Sequence, residues 1–303
     1  MPRTRLSSGV QRYGRYRKLQ GRTFTKGSSL REISGGCESA VRLVQSSLEI
    51  RMGRPGARPV TIDRHVAAIR SDAVVLAASD PALAGAAVVA GRFAVPLRPP
   101  GFATMIWLIL GQQVSIEAAQ AMFDRLEATL GTVTPGGLLG LNEETMRRCG
   151  FTRQKAGYAR DLAGAVTSGT FSFEEVEGLP DDQAVAALTT LRGVGVWSAE
   201  NYLMWALGRR DVFPAGDLAL RLGWQRLDGA ADPPSADALR ETAVRWSPRR
   251  TAAAFLIWHY YLGMRGRGEA GGGREGGLGG PHPLQAPHSP PNRVGPATGR
   301  AGR

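Results

Sequence analysis

The chain has 303 residues, 43% apolar and 7% aromatic, with a formal net charge of +12. That length suits one or two domains and a core large enough to need no staples. Two cysteines, Cys37 and Cys149, and four histidines without ligand spacing argue against a disulfide framework, a zinc ribbon, an iron–sulfur cluster and any bound metal.

The charge is unevenly spread. Residues 1–60 carry 13 Lys and Arg against 3 Asp and Glu, and residues 265–303 carry 6 against 2. Residues 61–264 carry 19 against 21, so the basicity lies in the tails and says little about the folded part. Residues 1–60 read as a disordered basic arm with a short helix near Glu38–Ile50. Residues 265–303, rich in Gly, Pro and Arg, read as a disordered tail. No stretch approaches the length of a membrane span, and the N-terminus has no apolar h-region. A soluble, cytoplasmic monomer is expected, nucleoid-associated if the cell is bacterial.

Between the tails the apolar spacing is helical. Ile62, Val66, Ile69, Ala73 and Leu76 mark a first helix over Ile62–Ser79. The Ala-rich segment Ala82–Ala90 can pack closely. The apolar run Phe102–Leu110 leads into Gln112 and Gln113. Ser115 caps Ile116–Leu130, which Gly131 ends. Asn142 caps Glu143–Cys149, Gly150 ends it, and Gln154–Thr167 follows. Asp181 and Asp182 open a helix over 183–191. Trp197–Leu207, Asp217–Leu227, Ser235–Trp246 and Pro248–Gly263 complete the set, the last with Ser247 as cap and Pro248 at its first position. Alternating strand patterns are almost absent. The expected fold is all-α, two helical lobes with a cleft between them.

The most specific string is Leu191-Arg192-Gly193-Val194-Gly195-Val196-Trp197-Ser198-Ala199. Gly193 and Gly195 permit a tight turn and leave the backbone bare. The amides at the start of the next helix can then face an anion, most simply a phosphate. Leu191 and Val194 would anchor the turn in the core. Asp217 lies 22 residues past Gly195, with one helix and one loop between. Alone it reads as a helix cap; at that distance the chain can bring it back beside the hairpin. As a cap it would accept amide hydrogen bonds, which favour the ionised form.

These residues resemble the helix-hairpin-helix DNA glycosylase superfamily, in which the hairpin precedes a catalytic Asp. Ile109-Leu110-Gly111-Gln112-Gln113-Val114-Ser115 resembles a segment lining the base pocket in its alkylation-repair branch. Gly150-Phe151-Thr152-Arg153-Gln154-Lys155-Ala156 resembles the turn into the next helix, and Trp246-Ser247-Pro248-Arg249-Arg250 through Trp258 the closing helix. The resemblance covers roughly residues 63–263. It implies double-stranded DNA as partner, no cofactor, and Asp217 as the catalytic carboxylate. It implies a base pocket of Gln112, Trp197, Asn201 and Trp258, with core packing the equal alternative for Trp258. Gly193, Val194, Gly195 and Gln113 would meet DNA, and Arg153, Lys155 and Arg192 are candidate phosphate contacts.

Three positions refine the resemblance. Trp197 stands where strand-cleaving members carry a lysine, which implies a monofunctional hydrolase of alkylated purines (3-methyladenine, 7-methylguanine). Gln113 occupies the place of the residue that fills the gap left by the flipped base, an apolar residue in the well-known bacterial relative. Asn201 replaces a pocket tyrosine of that relative. Residues 1–60 show no strand pattern to supply that relative's N-terminal β domain. The acidic run Glu174–Asp182 is expected to face away from DNA. The alternatives are a non-catalytic helix-hairpin-helix DNA-binding module and a glycosylase for another damaged base.

Overall fold

The computed structural model describes residues 60–90 and 93–271, with side chains over 62–90 and 93–265; the basic arm, its expected helix and most of the C-terminal tail lie outside the described residues. Among the described residues there are thirteen α-helices and no strand. In chain order they are α1 (Val60–Ser79), α2 (Pro81–Ala90), α3 (Phe102–Gly111), α4 (Ile116–Leu130), α5 (Pro135–Leu139), α6 (Glu143–Arg148) and α7 (Arg153–Thr167). Then come α8 (Phe173–Gly178), α9 (Asp181–Thr189), α10 (Val196–Trp205), α11 (Leu218–Asp228), α12 (Ala236–Ala243), a 3-10 turn Val244–Trp246 and α13 (Arg250–Gly271).

Three helices form the centre. In α3 only Ala103 of ten residues is not buried, and α10 is buried at every position from Trp197 to Trp205. Helix α3, apolar all round, must sit inside; α10 is inside although it carries Ser198, Glu200 and Asn201. The first half of α13, from Thr251 to Tyr261, is buried throughout. Around them pack one-sided helices. Helix α4 buries Ala119, Phe123 and Leu126, spaced four and three residues apart along one stripe. One connected apolar cluster runs from Ile62 in α1 to Tyr261 in α13, with a second, small one formed by Ala119 of α4 and Trp197 of α10.

Two of the expected caps are in place: Ser115 accepts from the Ala118 amide at 2.6 Å and Asn142 from Thr145 at 2.9 Å. Ser235 caps α12 in the same way, accepting from Ala238 at 3.1 Å. Two short helices, α5 and α8, are not foreseen: a Pro-Gly-Gly start and an acidic run carry too few residues to show a period. Glu174, Glu175 and Glu177 of that run are exposed. One start is misplaced. Ser247 does not cap the last helix. Its hydroxyl donates to Asp211 at 2.8 Å, and the same carboxylate accepts the Arg250 amide at 3.2 Å, so the helix begins at Arg250 on a cap supplied from another loop.

A second long-range carboxylate ties α1 to the loop after α10. Asp72, buried, accepts two bonds from Arg210 at 2.6 and 2.8 Å, with Arg249 at 3.3 Å. Such bidentate pairs are the strong ones. Asp72→Ala leaves two guanidinium groups without this partner, and about 1–3 kcal/mol of stability is expected to go. Urea denaturation reads this directly; an unchanged midpoint would show that α1 is held by apolar packing alone.

Candidate active site

Asp217 ends the loop from Phe213 and becomes the N-cap of α11. Its amide donates to Pro214 O at 2.8 Å, which folds the Pro-Ala-Gly segment into a turn and places the carboxylate. One carboxylate oxygen, Oδ1, accepts from the Ala219 and Leu220 amides at 2.9 and 3.2 Å. The other, Oδ2, accepts from the Trp197 indole N–H at 3.0 Å. A carboxylate offers about four acceptor positions, so these three donors leave one for a reacting group.

The cap does not hold the acid low. Asp217 is 5% exposed, and burial pushes its pKa up to about 6 from the ordinary 3.8, against the pull of the Trp197 indole and the two amides. Desolvation of the charged form outweighs the hydrogen bonds. The group is still mostly ionised at neutral pH, but it titrates close to it.

Beside the carboxylate lies a recess of about 10 Å³, room for roughly one water. It is lined by Ile116, Asn201, Met204, Trp205, Pro214, Leu220, Ala254 and Trp258 together with Asp217. Of the expected base pocket, Asn201 and Trp258 line it. Trp197 stands behind the carboxylate as its donor. Gln112 does not line it: its amide Nε2 donates to Gly193 O at 2.8 Å and to Ser198 Oγ at 3.2 Å. Trp205, not among the residues expected there, lines the recess and meets Trp258 edge-on, ring centroids 5.5 Å apart at 89°. Asn201 bridges this wall, donating to Trp197 O at 2.8 Å and accepting from the Trp205 indole at 3.1 Å. Residues 197, 201 and 205 are four apart and so share one face of α10. That spacing is the sequence signal that could have singled out Trp205.

The hairpin joins α9 to α10. Gly193 has φ +83, and a Cβ there would fall 2.2 Å from the Tyr158 ring. Val194 is buried, and its amide donates to Leu191 O at 3.0 Å. Val194 therefore anchors and closes the turn, its side chain in the core and its amide bonded within the hairpin. Gly195 is exposed, with ordinary extended backbone (φ −91, ψ 177) and open space where a Cβ would project. Helix α10 starts there with no side-chain cap, unlike α4, α6, α7, α11 and α12. Its first amides have no protein side chain to accept them.

The expected basic contacts divide. Arg153 is exposed at the first position of α7. Arg192 is exposed, pairs with Asp161 at 2.8 Å and lies over the Tyr158 ring at 5.5 Å. Lys155 is not a surface cation. It is 9% exposed, its Nζ donates to Leu110 O and Gln112 O at 2.7 Å each, and burial pulls its pKa down to about 8. Gln113 is exposed at the tip of the α3–α4 turn.

Trp197→Phe keeps the aromatic bulk and removes the donor to Oδ2. The Asp217 pKa is then expected to rise further, since a hydrogen bond to the charged form is lost. A pH–rate profile checks this: its acid limb moves to higher pH in the variant, and an unmoved limb would mean the indole has no hold on the acid.

An uncapped glycine hairpin, a buried carboxylate about one helix later and an aromatic recess beside it define a class of base-excision protein. The HhH-GPD family model (HhH-GPD superfamily base excision DNA repair protein) matches residues 106–249, and the chain belongs to this superfamily. Among curated relatives, DNA-3-methyladenine glycosylase 1 of Schizosaccharomyces pombe is 32% identical, over 51% of this chain and 69% of its own. DNA-3-methyladenine glycosylase 2 of Escherichia coli is 28% identical over 54% of this chain and 60% of its own length, so the chain spans under two thirds of that relative. Among solved structures, the S. pombe 3-methyladenine DNA glycosylase in complex with abasic DNA matches with a TM-score of 0.58 and 27% identity, covering 62% of this chain and 95% of that one.

Proposed function

We infer that the protein is a monofunctional DNA glycosylase that hydrolyses the N-glycosidic bond of alkylated purines in double-stranded DNA. The observation that carries this is the buried Asp217 carboxylate, oriented by Trp197 at the edge of an aromatic recess. The similarity to relatives named 3-methyladenine glycosylases supports the substrate class.

Alkylation at N3 or N7 makes a purine cationic and a ready leaving group, so no strong general acid is required. The target leaves the duplex to be reached. Trp205 and Trp258 are aromatic walls, and a cationic base is better held over a π face than a neutral one. Room for one water does not admit a purine, so the recess widens on entry, with Met204, Leu220 and Ile116 as its yielding apolar walls. As the C1′–N bond breaks, its electron pair goes to the base and positive charge develops on the sugar. The free acceptor position of Asp217 faces that charge and can orient water. Water oxygen bonds to C1′, its proton is released, and an abasic site remains in an unbroken strand. Trp197 stands where an attacking amine would be required for strand cleavage. The uncapped amides of α10 and the bare Gly195 backbone suit a DNA phosphate.

Methylated duplex DNA tests this. Chromatography should show release of 3-methyladenine or 7-methylguanine, and a denaturing gel should show strands intact until alkali or heat is applied. Binding without release of any base would favour a non-catalytic DNA-binding module. Strand scission without alkali would contradict the monofunctional class.

A further inference from the structure

The carbonyls that end α3 meet a buried ammonium. The last four carbonyls of a helix have no partner within it. Here Lys155, from the first turn of α7, supplies the donors for Leu110 O and Gln112 O, both at 2.7 Å. The next residue, Gln113, has φ +61, the one non-glycine residue at positive φ among the described residues, and its side chain is exposed. That left-handed backbone is disfavoured for a residue with a Cβ, and persists where the surroundings hold it. On the other side, the Gln112 amide reaches the hairpin, donating to Gly193 O and Ser198 Oγ. Residue 112 is therefore gripped twice, by Lys155 through its main chain and by the hairpin through its side chain.

We propose that Lys155 is a positioning residue: it holds the Gln113 turn in its left-handed shape and, through Gln112, locks that turn to the Gly193 hairpin. Grip on the DNA backbone and entry of Gln113 into the duplex then occur as one rigid step. This rests on the reading of Gln113 as the residue that fills the gap left by the flipped base. Lys155 does not act by touching phosphate, because its Nζ is turned to two protein carbonyls. Nor does simple space-filling account for it. Burying an ammonium carries a desolvation penalty, visible in its lowered pKa, that a methionine of similar length would avoid. What methionine could not do is donate to the two carbonyls that lead into the turn.

The test separates binding from opening. Duplex affinity is read by anisotropy, opening by the fluorescence of 2-aminopurine placed beside the lesion, and chemistry by single-turnover base release. Lys155→Met is expected to bind duplex nearly as the parent does, because the hairpin is intact. It should lose opening and release at least about tenfold, the size of effect of losing hydrogen bonds to a charged donor. Lys155→Arg, which keeps donors, should recover part of that loss. Hydrogen exchange should quicken in the peptide spanning 111–115 and not across α10. Gln112→Leu cuts the second arm without touching Lys155, and carries the test if Lys155→Met does not fold; it too should bind and fail to open. Gln113→Ala is the control. If it opens the duplex as the parent does, the insertion reading fails, whatever Lys155 does. If Gln113→Ala loses opening while Lys155→Met or Gln112→Leu keeps it, or if binding and opening fall together in both clamp variants, the clamp is overturned.

Discussion

Asp217→Asn lowers single-turnover base excision by about 10²–10³-fold, the loss that follows removal of one preorganised electrostatic contact, while duplex affinity stays near that of the parent. The charge is lost, and the shape is almost kept. The parent rate should climb as pH rises through about 6 and level off above it, because only the ionised carboxylate faces the developing sugar cation. The residual rate of the variant should show no such limb. Stability moves the other way. Between the unfolded pKa near 3.8 and the folded value of about 6, the native protein holds a proton on Asp217 that the unfolded chain has lost. Stability from this group is therefore lost as pH rises through that window, on the order of 3 kcal/mol when complete. Asp217→Asn has no such term. Its stability relative to the parent should grow by that order from about pH 4 to about pH 7, whatever its offset at one pH. Urea melts across that range measure it. A difference that does not change with pH would mean the acid titrates at its ordinary value, and an undiminished excision rate would remove Asp217 from the chemistry.

The two hairpin glycines should fail in different ways. Gly193→Ala sets a Cβ in left-handed backbone and 2.2 Å from the Tyr158 ring. Left-handed strain of about 1–2 kcal/mol and overpacking of about 1–3 kcal/mol predict a loss of roughly 2–5 kcal/mol in stability. The displaced Tyr158 also carries Arg192 over its ring, so the face around the hairpin is disturbed as well. Gly195→Ala meets open space and an ordinary φ, so its stability should stay within about 0.5 kcal/mol of the parent. A methyl group there nonetheless adds bulk at the N-cap of α10, beside the amides proposed to take a phosphate. The loss of one charge-assisted contact predicts duplex binding weaker by at least about tenfold. Thermal melts and anisotropy together check the contrast. A Gly195→Ala variant that binds DNA as the parent does would mean that the phosphate lies elsewhere.

Much of this molecule was legible from local pattern. The helices over Ile116–Leu130 and Glu143–Arg148 announce themselves by Ser115, Asn142 and an apolar stripe, because caps and helical period are properties of neighbours in the chain. The hairpin and its distance from Asp217 were visible for the same reason. Short helices such as α5 were not, since five residues cannot display a period. Nor was the start of α13, because its cap, Asp211, arrives from another loop.

The side chains of Lys155, Gln112 and Trp197 mark the boundary. In the sequence Lys155 is one more cation beside Arg153, and only packing against α3 turns it inward onto two carbonyls. Gln112 reads as a pocket amide until the hairpin comes within 2.8 Å of it. Trp197 reads as a wall of the pocket until its indole meets Asp217. The sequence by itself determined most of the helices and the glycine turn, which are set by residues a few positions apart, and it singled out Asp217 as the candidate acid. The pKa of that acid, the donors around it and the fate of each charged group were decided only by tertiary structure. Desolvation and hydrogen bonding depend on which atoms surround a group in space, and here those atoms come from segments as much as 138 residues apart in the chain, as for Asp72 and Arg210.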